Sequence, residues 1–268
     1  HIDMKTLLIT AKNLLRSSIN PYYNSLTGVK IRNNLGFRIV PSFFPEYLKS
    51  YSISDAFPWR TDEGYKTYFR FSDILNNYYN IDNNCVKFVF YNSNGNIIKQ
   101  FIKYDIDNIN ELEIDKDFIS SEEDFGNFSI FHLFDSNIEN IKITNRCYIG
   151  FSKNDSIPSY SHGNVLARFW NPTTNKIESD IIKLTRKVHN YLIQKNFSEF
   201  DKIELFFTNQ TTSKYWIKIN NTKINLNIGQ SIIFDVKPCE IIHIKSNNFW
   251  ARPIVFTEKD SYIDCFHA

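Results

Sequence analysis

The residues best able to do chemistry come in pairs. Aligning Phe151–Gly163 with Phe256–Ala268 sets Phe over Phe, Asp155-Ser156 over Asp260-Ser261, and His162 over His267. Further back, Phe128-Ser-Ile-Phe-His132 matches Cys239-Glu-Ile-Ile-His243, and Val86-Lys-Phe-Val-Phe90 matches Ile203-Glu-Leu-Phe-Phe207. One copy thus offers His132, Asp155 and His162, the other His243, Asp260 and His267. Two imidazoles and one carboxylate with open positions form a donor set suited to iron or zinc. That reading predicts a metal-dependent enzyme acting on a sugar or nucleotide-sugar. The spacing does not demand a metal, because no His-x-His sets two rings on one face of a strand. The competing reading makes each Asp-Ser a hairpin turn and each His a polar contact at a strand end.

A second constellation is unrepeated. Asp55-Ala-Phe57-Pro58-Trp59-Arg60-Thr-Asp62 joins aromatic rings to carboxylates and a guanidinium. Such a loop suits a sugar, whose C–H faces stack on rings while its hydroxyls bind charged groups. Phe57 and Trp59 can equally plug a seam between domains. Arg146 and Arg252 offer planar forks for carboxylate or phosphate. They precede the repeated Phe by five and four residues, so they are equivalent only if a bulge near Gly150 absorbs one residue. A structural ion pair is the alternative for both.

Nucleophile signals are weak. Cys265-Phe-His267 sets a thiol near an imidazole able to lower its pKa, although a lone thiol is more often inert. Glu122-Glu123-Asp124 reads as a solvated turn rather than a glycosidase pair. Neither a Gly-x-Ser-x-Gly elbow nor a phosphate or dinucleotide loop occurs.

Most of the chain alternates in period two. Val86–Tyr91, Tyr215–Ile219 and Lys223–Ile228 are β-branched or aromatic runs bounded by turn residues, the mark of antiparallel strands with one buried face. Helical spacing appears near Thr6–Ser18 and around Phe71–Tyr79, where Ser72-Asp73 offers a cap. The expected fold is all-β: two tandem antiparallel β-sandwich units from an internal duplication. Residues 1–49 form an N-terminal segment packing on the sandwiches, 50–163 the first unit and 164–268 the second. Missing crossover helices argue against a parallel α/β sheet.

Composition narrows the classes. The 268 residues are 42% hydrophobic and 16% aromatic, enough for a substantial core and too much for a disordered chain. Thirty-one basic residues against 29 acidic ones give a net charge of +2 without a basic stripe, so no nucleic acid is expected. No run is long and apolar enough for a membrane span. Four scattered cysteines fit reduced thiols. His1-Ile2-Asp3 reads as an appended remnant ahead of Met4, and the apolar run after Lys5 is shorter than the ~7–15 residues of a signal peptide. A cytoplasmic location follows as an expectation.

The stretch Ile242-His-Ile-Lys-Ser246-Asn-Asn-Phe-Trp-Ala-Arg252-Pro253-Ile-Val-Phe256, with Asp260-Ser261, resembles the end of the sensory-rhodopsin-transducer-like β-sandwich. In that family a Ser precedes a Pro-Val-Val strand and an Asp-Ser/Thr turn. The resemblance covers about a quarter of the chain. It departs at Trp250-Ala-Arg252 and, in the first copy, at Cys147-Tyr148. It implies a small, non-enzymatic, oligomerising sandwich related to sugar-binding modules. The doubled arrangement, with Asp55–Arg60 ahead, is also similar to uncharacterised bacterial proteins often encoded among surface-polysaccharide genes. Together these features predict a non-catalytic module without a cofactor that binds a carbohydrate or a glycan-pathway protein. A self-assembling structural homo-oligomer is the further alternative. The residues expected to touch a ligand are Trp59, Arg60, Asp55, Asp62, Arg146 and Arg252.

Overall fold

A computed structural model describes residues 48–82, 85–119, 122–145, 147–163, 166–179, 181, 184, 188–193, 195–238 and 241–268, together with Thr27. The expected helix at Thr6–Ser18, Arg146 and Cys239 lie outside the described residues. The strands below all belong to one compact unit, 41–184 with 188–268.

The alternating runs become strands and the Asn/Gly/Asp clusters become turns. In chain order these are β1 (Tyr51–Asp55), β2 (Phe57–Arg60), β3 (Tyr65–Phe71), β4 (Cys85–Asn92), β5 (Ile97–Tyr104) and β6 (Asn110–Ile114). Next come β7 (Phe125–Leu133), β8 (Lys142–Asn145), β9 (Tyr148–Lys153), β10 (Ser159–His162), β11 (Leu166–Asn171) and β12 (Lys176–Glu178). The last group is β13 (His189–Ile193), β14 (Lys202–Thr208), β15 (Tyr215–Ile219), β16 (Thr222–Leu226), β17 (Ser231–Asp235), β18 (Ile242–Ser246), β19 (Ile254–Lys259) and β20 (Tyr262–His267). Helices are short: α1 (Ile74–Tyr79) and α2 (Lys116–Ile119). As the sequence suggests, Asp73 caps α1 by accepting from the Asn76 N–H, and Asn80 ends it in the left-handed region.

The protein is mostly β, in four-stranded sheets. Sheets β2-β7-β4-β5 and β10-β9-β3-β6 face each other across a core of stacked and edge-on rings, Phe57, Phe69, Phe88 and Phe128 among them. Sheets β13-β18-β15-β16 and β20-β19-β14-β17 enclose a second core containing Leu205, Phe207, Ile217, Ile244 and Val255. Read in this direction, the two pairs have one strand order, β8 standing outside it. Every neighbouring pair in these four sheets is antiparallel.

Two of the residue matches seen in the sequence fall on corresponding strands, His132 on β7 with His243 on β18 and Phe151–His162 on β9 and β10 with Phe256–His267 on β19 and β20, but the third does not. Val86–Phe90 lies on β4 and its match Ile203–Phe207 on β14, but β14 occupies the place of β3. Phe151 packs into the first core beside Ile149, whereas on β19 the second core receives Val255, and Phe256 turns the opposite way. The β9–β10 turn places Asn154 and Asp155 at positive φ, and the β19–β20 turn places Asp260 and Ser261 there. The equivalence is thus shifted by one residue, which reverses the face of every side chain.

Sheet β20-β19-β14-β17 is buried on both sides. Leu205, Phe207 and Val255 face the second core, while Phe206, Ile254 and Phe256 join the first. Rings of Phe256 and Phe151 meet edge to face at 4.8 Å. At the turn tips, Gly95 (φ +85) and Gly229 (φ +74) touch so closely that a Cβ on Gly95 would lie 2.8 Å from the Gly229 carbonyl carbon. The Ser231 N–H donates to Ser93 O beside them.

Sheet β12-β11-β1-β8 covers the outer face of β7. Phe131, pointing outward from β7, is buried with Ile143 and Trp170. The second sheet pair therefore starts at His189, and β11 and β12, which follow Asn164, complete a sheet with β1. Where β2 stops pairing with β7, the Ser54 and Ser52 hydroxyls on β1 accept from the backbone N–H groups of Ile130 and His132. These bonds satisfy donors that burial would otherwise leave costly.

Candidate functional site

The Trp-Arg segment is closed. Trp59 and Arg60 are 0% exposed, and Trp59 Nε1 donates to Tyr91 O at 3.0 Å. The expectation of a ring face offered to a sugar fails here, and Phe57 and Trp59 fill the core instead. Arg60 lies 3.9 Å over the Tyr65 ring. Its guanidinium donates to both Asp62 oxygens (3.0 and 2.7 Å) and to Glu204 Oε2 (2.6 Å). Lys202 adds a bond to Glu204 at 2.9 Å and another to Glu63 at 2.6 Å. Burial opposes ionisation of Glu204, but the Arg60 and Lys202 bonds outweigh it and hold the carboxyl below its usual range. Arg60 is thus committed to an internal ion-pair chain. Asp55 is fully buried too, with Gly163 so close that a Cβ there would lie 2.5 Å from Oδ2. Arg252 is half-buried, 5.9 Å from the Trp250 ring.

The histidines and aspartates of the expected metal sites stand apart. Among the described residues no three His, Cys, Asp or Glu side chains gather as a metal-binding group. His132 is buried with Nδ1 against Asn145 Oδ1 (2.7 Å) and Nε2 within 3.4 Å of the Ile74 N–H. Asn145 Nδ2 donates to Ser52 Oγ and Ile53 O, which fixes its oxygen toward the ring. Nε2 also lies 3.1 Å from Ser72 O, so both ring nitrogens already face partners inside the fold. Asp155 pairs with Lys66 at 2.7 Å, and the Asp260 N–H donates to Asp201. His243 points outward from β18. Only His162 and His267 meet, ring centroids 5.0 Å apart, where β10 and β20 run side by side. Burial pushes the Cys265 thiol up to about 12 and its sulfur donates to Ser159 O, so it is not a ready nucleophile.

A surface that sequence reasoning missed lies on the second sheet pair. The strands β13, β18, β15 and β16 bury one face and leave the other open. Register places Asn190 opposite Lys245, Lys245 opposite Lys218, and Lys218 opposite Lys223. Three lysines therefore stand abreast on adjacent strands about 4.8 Å apart. One step along, Trp216 lies opposite Asn225, and Lys223 Nζ sits 5.0 Å from the Trp216 ring centroid. His243 faces the same way beside Leu192. None of the four strands carries an Asp or Glu. The alternation in Tyr215–Ile219 and Ile242–Ser246 held part of this signal. What the sequence hides is that β18 inserts between β13 and β15.

Arg168 on β11 was missed as well. It is buried, donating to Asn127 Oδ1 and Ser129 Oγ and lying 4.0 Å over the Tyr91 ring. It ties the covering sheet to β7. A lone Arg inside Leu-Ala-Arg-Phe-Trp was its only mark.

No family model matches the chain, and no curated protein or solved structure shows significant similarity to it. Among the described residues no helix is long and apolar enough to cross a membrane.

Proposed function

We propose that this chain is a non-catalytic carbohydrate-binding protein built of two tandem sandwiches descended from one duplicated unit. Its ligand surface is the open outer face of β13-β18-β15-β16. The common strand order of the two sheet pairs supports the duplication, although the matched residues are displaced by register. One observation carries the binding reading: this face presents Trp216 among amides and cations, while β7, at the centre of the corresponding sheet in the first pair, has its outer face covered. A half-exposed indole beside Asn225 and Lys223 offers a stacking plane and hydroxyl partners together. A role in surface-glycan assembly accords with the resemblance of the doubled arrangement to proteins encoded among polysaccharide genes.

Titration calorimetry against a panel of neutral and acidic polysaccharides tests the reading. Trp216→Ala should weaken the best ligand at least tenfold, ~1.4 kcal/mol, with little change in melting temperature because the ring lies on an outer face. Trp59→Ala should instead destabilise the fold by about 3–5 kcal/mol, as expected for a buried aromatic. An empty panel, or a Trp216→Ala protein that binds like the parent, overturns the proposal.

A further inference from the structure

From the lysine row we infer the chemical class of the ligand: a linear acidic glycan, a polyuronate or similarly charged chain, lying across the strands over Lys245, Lys218 and Lys223. The inference rests on the carbohydrate reading above and deepens it.

Like charges directly opposite one another on neighbouring strands repel. Here the repulsion occurs twice in one row, at Lys245–Lys218 and Lys218–Lys223. Several lysines elsewhere on the surface have acidic partners: Lys66 has Asp155, Lys49 has Glu139, and Lys202 has Glu63 and Glu204. On this face the four strands supply no carboxylate, so the counter-charge must come from outside.

The geometry favours a thin, flat chain. The row is one lysine wide on each strand and bounded by Asn190 at one end. Its step equals the strand spacing of about 4.8 Å, so a chain running perpendicular to the strands meets one cation at each step. Trp216 and Asn225 lie alongside the row and meet the uncharged parts of the rings. A single indole makes a poor platform for nucleic acid, whose single strands are held by successive aromatic residues. The protein's net charge of only +2 also fits a local device rather than a general polyanion trap.

The probes are oligogalacturonate, its fully methyl-esterified form (the same rings without charge) and oligo-dT of similar length. Variants are Lys218→Gln and Lys245→Gln on the row, and Lys66→Gln as a control removing equal charge elsewhere. The inference expects the free acid to bind at least tenfold tighter than the ester and than oligo-dT. It expects either row variant to weaken binding about tenfold, the control to leave it unchanged, and added salt to weaken it steeply. Circular dichroism and melting curves confirm that each variant is folded. Equal binding of acid and ester, still lost in Trp216→Ala, overturns the acidic class and leaves the carbohydrate reading standing. Tighter binding of oligo-dT that depends on Lys218 overturns both, whereas an absence of binding to all three probes overturns the acidic class alone.

Discussion

The side chains that stand out chemically in the sequence are mostly spent on internal bonds. Arg60, Asp62 and Glu204 form a buried ion-pair chain, and removing one member of such a set is far costlier than the set's net worth. His132 sits neutral between Asn145 and the backbone near α1. Burial holds its pKa below the usual value against the opposing effect of its hydrogen bonds to Asn145 and Ser72. The sign of the consequence follows from linkage. Below about pH 6.5 the unfolded chain takes up a proton that the folded ring refuses, so stability falls as pH drops from there toward the folded pKa. His132→Gln should flatten that part of the stability curve, measured by urea unfolding between pH 7 and pH 4.5. An unchanged slope would show that His132 is not a source of the acid sensitivity. Arg60 and His132 resemble ligand residues in the sequence because composition cannot tell a buried, fully bonded polar group from an exposed one.

At the scale of the strand, alternation was readable and partnership was not. The period-two runs identified the strands, and the buried faces of β15 and β18 follow from it. Which strand lies beside which depends on non-local pairing, such as β18 between β13 and β15. The lysine row exists only through that pairing, so no window of sequence reveals it. The same limit explains the displaced repeat: matching Phe151 to Phe256 aligns letters, while the turns are offset by one residue and reverse the faces. Because the central lysine is repelled from both sides, Lys218→Gln should stabilise the free protein by about 0.2–1 kcal/mol. Melting at low salt would read this, with the gain shrinking as salt screens the row. A loss of stability would mean that Lys218 is held by something other than open solvent.

At the scale of the whole molecule, the all-β class was legible, since the period-two runs and the turn residues between them point that way. The covering sheet was not, because it gathers β1, β8, β11 and β12 from both sides of the expected boundary at Asn164. It masks the outer face of β7 and leaves the face around Trp216 as the open one. That asymmetry between otherwise like-ordered halves is the core of the functional account. An amide chemical-shift map recorded while oligogalacturonate is added tests it most directly. The account predicts shifts concentrated on β15, β16 and β18, at Trp216, Lys218, Lys223 and Lys245. Shifts centred instead on the Asp55–Asp62 segment or on the β10–β20 seam, or none at saturating ligand, would contradict it.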